Sequence, residues 1–285
     1  MKLKHFEDIN QYYEYVKPYL IQQEGYHNLL FGALSRLRNQ AEPLTHPYLV
    51  TVEEDENLVA VAIKTKPRKL ILSKSLNLKA FNVIAQNLHA REEIISVVVG
   101  LVDEAQAFAQ AWQAVTDQSY RQGMQLRIYQ LTTVNSVRKA NGHIRPATQT
   151  DCNFLINCLQ ALTQEALGET TDYDQAFQII ENCLKNQALY LWQDDVPVSV
   201  AGFTGATPNG IRVNFVYTPP QYRRQGYASS CVAALSQTLL DQGRKYCFLL
   251  TDLANPTSNH IYQAIGYQPV GDMHEYLFEN GNLER

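Results

Sequence analysis

The same order of predicted helices and strands occurs twice along this chain of 285 residues, and this repetition constrains its fold more than any other feature. A helical stretch at 7–40 precedes three strands, and a helix, a strand, a helix and a strand follow. The second half repeats this order after a connecting segment at 141–151. Strands that alternate with helices, with hairpins among them, are typical of a mixed sheet covered by helices on both faces. We therefore predict an α/β fold, a mixed sheet in two tandem modules, 1–140 and 141–285.

Two hairpins, at 48–64 and 189–206, are the clearest pair of corresponding segments. Pro43 and Pro47 end the helical stretch before the first hairpin. The other predicted strands are 70–73, 94–100, 126–132, 209–218, 246–252 and 275–279. The other predicted helices are 78–90, 104–117, 154–167, 174–186, 228–243 and 256–265.

Composition excludes several classes of protein. Hydrophobic residues make up 45% of the chain, which excludes intrinsic disorder. The formal net charge is −4 and the pI about 6.0, so no broad basic surface is available for duplex nucleic acid. No apolar run approaches the ~20 residues of a membrane span, and the first residues lack the apolar core of a signal peptide. We therefore expect a cytoplasmic protein without a nucleic-acid or membrane partner.

The cysteines lack the spacing of zinc ligands or of a disulfide framework. They are Cys152, Cys158, Cys183, Cys231 and Cys247. We expect reduced, mostly buried thiols and no bound metal.

One segment, VNFVYTPPQYRRQGYASS at 213–230, has the pattern of an anion site. A strand leads through a Pro-Pro turn into a loop and then a helix. Gly226 lets the backbone approach a ligand or adopt a positive φ, and the unpaired N–H groups of a helix N-terminus attract anions. Arg223 and Arg224 add charge that suits a phosphate or pyrophosphate. The alternative is an ordinary strand–loop–helix connection with solvated arginines. Neither GxGxxG nor GxxxxGK[ST] is present, so a Rossmann or a Walker nucleotide site is not supported.

This segment resembles the pyrophosphate loop of the GNAT acyltransferases, whose pattern [QR]-x-x-G-x-[GA] is matched by Arg223, Gly226 and Ala228. A second family element follows at 255–272, where an Asn and a Tyr lie beside the cofactor in the family. The resemblance covers 141–285 closely. It implies the acyl-CoA N-acyltransferase fold, with acetyl-CoA as the co-substrate.

The resemblance also implies roles for individual residues. The backbone of the strand at 213–217 would pair with the pantetheine arm, and the N–H groups at 224–229 would hold the pyrophosphate. The N–H of Val216 would stabilise the oxyanion. The cofactor-binding residues so implied are Phe215, Val216, Tyr217, Thr218, Arg223, Arg224, Gln225, Gly226, Tyr227, Ala228, Ser229, Asn255 and Asn259.

Tyr262 is the residue expected to protonate the leaving thiolate, and its alternative role is that of a core aromatic. The general base is not visible, because the strand before the loop carries no carboxylate. Candidates are Asp252, Glu275, His274 and Glu165, and a base relayed through water is the default hypothesis. The first module has neither the loop motif nor a matching Asn and Tyr, so we expect it to bind no acetyl-CoA and to shape the acceptor pocket.

The leading functional hypothesis is an acetyl-CoA-dependent N-acetyltransferase that acts on a small-molecule amine. The YTxPxYR stretch at 217–223 is also similar to glycine N-acyltransferases, which makes a longer acyl donor and an amino-acid acceptor an alternative. A non-catalytic acyl-CoA sensor and a protein-interaction domain are two competing hypotheses from different functional classes. A homodimer is compatible with the sequence.

Overall fold

Twelve strands form one continuous mixed sheet in the computed structural model of the chain, which describes residues 1–39, 47–66 and 68–279, without the side chains of Lys66 and Leu167. In chain order the elements are β1 (Lys2–Phe6), α1 (Ile9–Leu20), α2 (Asn28–Arg38), β2 (Leu49–Glu54), β3 (Asn57–Lys66), β4 (Lys69–Leu72), α3 (Ala80–Ala90), β5 (Val97–Leu101), α4 (Val102–Thr116), β6 (Tyr120–Leu131), β7 (His143–Pro146), α5 (Cys152–Leu167), α6 (Tyr173–Lys185), β8 (Leu189–Asp194), β9 (Val196–Thr204), β10 (Gly210–Tyr217), α7 (Tyr227–Asp241), β11 (Tyr246–Asp252), α8 (Pro256–Ile265) and β12 (Gln268–Phe278). Short 3₁₀ turns lie at Ile21–Gln23, Gln149–Asp151 and Pro220–Tyr222.

The two central strands, β6 and β12, are exchanged between the halves of the chain. The strand order is β1-β2-β3-β4-β5-β12-β6-β11-β10-β9-β8-β7. The last strand, β12, pairs with β5 of the first half, and β6 pairs with β11 of the second half. Since β6 and β12 also pair with each other, each half completes its part of the sheet with a strand from the other half. The division into 1–140 and 141–285 stays a prediction.

Helices cover both faces of the sheet, as predicted, because each helix turns one apolar face inward. In the first half, α3 and α4 cover one face through Phe81 and Trp112, and α1 and α2 cover the other through Leu20 and Leu34. In the second half, α7 and α8 cover one face, and α5 and α6 the other. The cluster beneath α1 and α2 extends to the centre of the sheet, where it includes Ile128 of β6 and Met273 of β12.

Strands β10 and β11 run parallel and then separate. Their ladder comprises three residue pairs, of which Arg212 and Phe248 form the last. Beyond this pair, residues 213–217 of β10 have no described partner on the side of β11. The two strands therefore leave an opening between them, at the end of the sheet where β10 leads into α7.

The structure corrects the predicted helix at 7–40, which is two helices joined by a turn at 24–27. In that turn the Glu24 carboxylate accepts hydrogen bonds from the backbone and side chain of Asn209, both at 2.8 Å. Such long-range contacts override the local helical pattern. Pro43 lies outside the described residues, and Pro47 precedes β2.

Three further features hold for the described part of the chain. No helix there is long and apolar enough to cross a membrane. No group of three or more His, Cys, Asp or Glu residues there could hold a metal ion. The five cysteines are free, and Cys158, Cys231 and Cys247 are buried.

Candidate functional site

The loop before α7 presents a series of backbone N–H groups without acceptors. Gly226 is the N-cap of α7 with a φ of 83°, and Arg224 has a φ of 63°. Among the described residues, none accepts a hydrogen bond from the N–H groups of 224–229, including Ala228 in the first turn. The next N–H, that of Ser230, donates to the Gly226 carbonyl at 3.0 Å. Open N–H groups at the positive end of a helix dipole can bind an anion such as a pyrophosphate.

A groove of about 670 Å³ lies in front of this loop. Its loop wall is formed by Arg224, Gln225, Gly226, Tyr227 and Ser229. The facing wall is the chain segment 136–141, together with Ala264 of α8. This volume is in the range of small-molecule sites, so the predicted phosphate-binding residues face a space suited to a ligand.

Arg223, the first residue of the predicted motif, is engaged within the protein. Its guanidinium donates to both carboxylate oxygens of Glu165, at 3.0 and 2.8 Å, and to the Thr218 carbonyl at 2.9 Å. The Tyr217 hydroxyl donates to the same carboxylate at 2.6 Å, and the Thr218 hydroxyl lies 2.8 Å from that of Ser199. These contacts attach the beginning of the loop to α5. A cofactor contact by Arg223, Thr218 or Tyr217 stays a prediction.

Strand β10 carries a bulge at the opening between β10 and β11. Its register with β9 is irregular between Asn214 and Tyr217, so Phe215 and Val216 oppose a single residue of β9. Phe215 has a φ of 47°, which is unusual for a bulky residue. A bulge leaves backbone groups out of the ladder. The N–H predicted to stabilise the oxyanion, that of Val216, thus lies in a stretch with disrupted pairing.

Tyr262 lies on α8 and packs against Tyr129 and Tyr267, at ring-centroid distances of 6.4 and 6.0 Å. Burial raises the pKa of its phenol to about 12. Among the described residues, none hydrogen-bonds to its hydroxyl. A phenol that is protonated at neutral pH can act as a proton donor. The side chain is a core aromatic, and its role as proton donor stays a prediction.

The two predicted cofactor asparagines make structural contacts. The Asn255 side chain caps α8 by accepting from the Ser258 N–H at 3.0 Å. The Asn259 amide donates to the carbonyls of Asp252 and Asn255, and its oxygen accepts from the Tyr129 hydroxyl at 3.1 Å. These bonds position the start of α8, and cofactor binding by either asparagine stays a prediction.

Glu165 is the candidate base that contacts the loop. Partial burial acts to raise its pKa, but hydrogen bonds from Tyr217 and Arg223 outweigh it, so the net pKa is lowered. A carboxylate with a lowered pKa is a weaker base. The remaining predicted candidates are Asp252, His274 and Glu275. Each of them hydrogen-bonds to residues that do not line the groove.

The corresponding loop of the first half, 73–79, has its N–H groups occupied by the protein itself. The Ser75 N–H donates to the buried Glu104 carboxylate at 3.0 Å, and the Lys74 N–H donates to the His27 ring at 3.2 Å. A carboxylate thus takes the acceptor role that an anionic ligand would have. This is a physical reason for the expectation that the first half binds no acetyl-CoA.

Sequence reasoning missed the segment 136–141 as a wall of the groove. Its adjacent cations, Arg138 and Lys139, are visible in the sequence as a basic pair. Nothing local indicates that the segment passes in front of the loop at 224–229, because its path depends on the strand exchange.

Comparison with known proteins gives one family match and many structural matches. Residues 206–277, which include the loop, α7, β11 and α8, match the family described as FR47-like protein. An acetyltransferase from the GNAT family of Colwellia psychrerythraea is 13% identical with a TM-score of 0.58, over 98% of this chain and 100% of that chain. A GCN5-related N-acetyltransferase from Sphaerobacter thermophilus is 13% identical with a TM-score of 0.63, over 96% and 94%.

A tandem GNAT protein from the clavulanic acid biosynthesis pathway is 12% identical with a TM-score of 0.57, over 100% of both chains. At these identities the structural matches show the fold, and the family match falls on the segment that carries the predicted motifs. The chain thus has the fold of these GNAT acetyltransferases, with two modules in tandem.

Proposed function

We propose that the protein is an acetyl-CoA-dependent N-acetyltransferase that acetylates the primary amine of a small molecule. The observation that carries this proposal is the row of open N–H groups at 224–229, beside the opening between β10 and β11. The same features lie within the stretch that matches the FR47-like family.

Three parts of the second half would bind successive parts of acetyl-CoA, namely its pyrophosphate, its pantetheine arm and its thioester. The N–H groups at 224–229 and the positive end of α7 would hold the pyrophosphate. The free edge of β10, 213–217, would pair with the amide groups of the pantetheine arm, as an added strand pairs with a sheet. This places the thioester near Phe215 and Val216, at the bulge.

The chemistry then needs an oxyanion donor and a proton donor. The amine nitrogen of the acceptor attacks the thioester carbonyl, a C–N bond forms, and the C–S bond breaks. The N–H of Val216 stabilises the oxyanion, and Tyr262 gives its proton to the departing thiolate. The raised pKa of Tyr262, about 12, keeps that proton in place at neutral pH.

The amine must lose a proton during the reaction, and water is the proposed route. Among the described residues, 213–217 of β10 include no carboxylate, and Glu165 is held by Tyr217 and Arg223. Water at the opening between β10 and β11 would accept this proton without a dedicated side chain.

Two measurements on the full chain test the proposal. Calorimetry measures CoA binding, and thiol release from acetyl-CoA is followed across a panel of primary amines, including amino acids. Binding together with amine-dependent thiol release supports the proposal. Binding without release to any amine would point to an acyl-CoA sensor, and absence of binding would refute the cofactor assignment. Release with longer acyl donors alone would favour an acyltransferase for longer acyl-CoA.

A further inference from the structure

The segment that joins β6 to β7 has to cross one face of the sheet. Four strands lie between β6 and β7 in the sheet, which gives five spacings of ~4.8 Å, or about 24 Å. Leu131, at the end of β6, pairs with Cys247 near the start of β11, whereas β7 begins at the opposite end of the sheet. The crossing is therefore diagonal, and 12 residue steps reach at most about 40 Å. We call residues 132–142 the linker.

Hydrogen bonds hold the linker against the helices of this face. The Asn135 N–H donates to the carbonyl of Ile265 at the end of α8, at 2.8 Å. The Ala140 N–H donates to the hydroxyl of Ser230 in the first turn of α7, at 2.9 Å. The linker thus passes the N-terminus of α7 at a fixed distance from the loop at 224–229.

Three cations face the groove between the linker and the loop. Arg138 and Lys139 of the linker lie opposite Arg224, and none of the described Asp or Glu residues lines the groove. None of the three makes an ion pair within the described part of the chain. Two acids bond to loop residues without lining the groove: Glu165 pairs with Arg223, and Asp194 accepts a hydrogen bond from the Tyr227 hydroxyl at 2.5 Å.

The groove carries three cationic side chains in addition to the open N–H groups at 224–229. Those N–H groups can bind a pyrophosphate without the linker cations. Arg138 and Lys139 stand on the other wall, and both are exposed. A phosphomonoester, with about −1.5 to −2 charges at neutral pH, is an anion that matches such a pair.

We propose that Arg138 and Lys139 of the linker bind the 3′-phosphate of CoA, so that the site distinguishes CoA from dephospho-CoA. This inference rests on the proposed function, since it assigns a further part of the same cofactor. The connection between the two halves is then itself part of the cofactor site.

The experiment measures the affinities of CoA and dephospho-CoA by calorimetry, at low salt and with the full chain. The variants are the pair Arg138→Gln and Lys139→Gln, and the control is Arg121→Gln on β6, an exposed arginine without an ion pair among the described residues. We expect the wild type to bind CoA roughly tenfold more tightly than dephospho-CoA, since one charge-assisted hydrogen bond is worth about that factor. In the double variant the affinity for CoA should be within about twofold of that for dephospho-CoA. Its affinity for dephospho-CoA should stay within a few-fold of the wild-type value. The control should keep the wild-type ratio of the two affinities.

Three results overturn the inference. If the wild type binds CoA and dephospho-CoA equally well, or if the double variant keeps the wild-type ratio of the two affinities, the linker does not bind the 3′-phosphate. The proposed function is unaffected by either result. Equal loss of affinity for both ligands would assign the linker cations to the pyrophosphate instead. A wild type that binds neither ligand refutes the proposed function and this inference together.

Discussion

Replacement of Gly226 by valine tests whether the loop at 224–229 holds the cofactor through its backbone. Gly226 has a φ of 83°, and among the described residues a Cβ at this position would meet the Ala140 side chain alone, at 3.8 Å. The substitution therefore causes backbone strain rather than a collision. A left-handed conformation costs an L-residue roughly 1–2 kcal/mol, and a β-branched side chain adds to this.

Chain relaxation from that strain would turn N–H groups of the loop away from the groove. Each charge-assisted hydrogen bond is worth about 1.5–3 kcal/mol, so the loss of one of them weakens CoA binding by at least roughly tenfold. We expect Gly226→Val to abolish measurable binding, because several N–H groups depend on this one φ.

The matched control is Gly243→Val, just beyond the other end of α7. Gly243 has a φ of 91°, and no atom of the residues that the structure describes lies within 4 Å of a Cβ placed there. Both variants should lose similar stability in urea unfolding, whereas calorimetry should show loss of CoA binding for Gly226→Val alone. If the two variants bind CoA equally well, the loop does not hold the cofactor.

Three further predictions concern single side chains. Tyr262→Phe should lower kcat by roughly 10²–10⁴ with acetyl-CoA affinity within a few-fold, and an unchanged kcat on a verified amine would leave Tyr262 as a core aromatic only. Arg224→Ala should weaken CoA binding modestly, and added salt should shrink the difference in calorimetry, because the exposed charge is screened. Burial lowers the pKa of His27 to about 4. The unfolded chain therefore binds a proton at higher pH, and stability should fall by up to roughly 3 kcal/mol as the pH drops from 6.5 to 4; in urea unfolding, His27→Gln should show a smaller fall, and an equal one would contradict this origin.

The sequence predicts an element correctly where the spacing of its apolar residues alone identifies it as a helix or a strand. The hairpin β2–β3, the buried strand β11 and the helix α8 lie where the pattern places them. The GNAT fold, inferred from the loop at 223–228 and the element after β11, is confirmed, and so are the two tandem modules inferred from the repeated order of helices and strands.

Elements that depend on distant partners were missed or misjudged. β1 has a single buried side chain, that of Phe6, and so it shows no alternation. β6 and β12 are longer than predicted because they extend along each other. The turn at 24–27 interrupts a helical pattern because Glu24 bonds to Asn209.

The candidate site was predictable in its backbone and less so in its side chains. The positive φ of Gly226 and the start of α7 follow from the RxxGxA pattern. The partners of Arg223 and Asn259 do not, because Glu165 and Tyr129 lie 58 and 130 residues away in the chain. The linker wall could not be foreseen for the same reason.

The exchange of β6 and β12 joins the two halves into one folding unit, although the order of helices and strands repeats along the chain. Strand pairs such as Met273 with Leu101 close loops of more than a hundred residues, which slows folding relative to two modules that fold locally. A fragment ending at the linker would contain β6 without β11 or β12, and β5 without β12, so it would expose unpaired strand edges prone to association. We therefore expect that a cut at the linker does not divide the chain into two domains that fold independently.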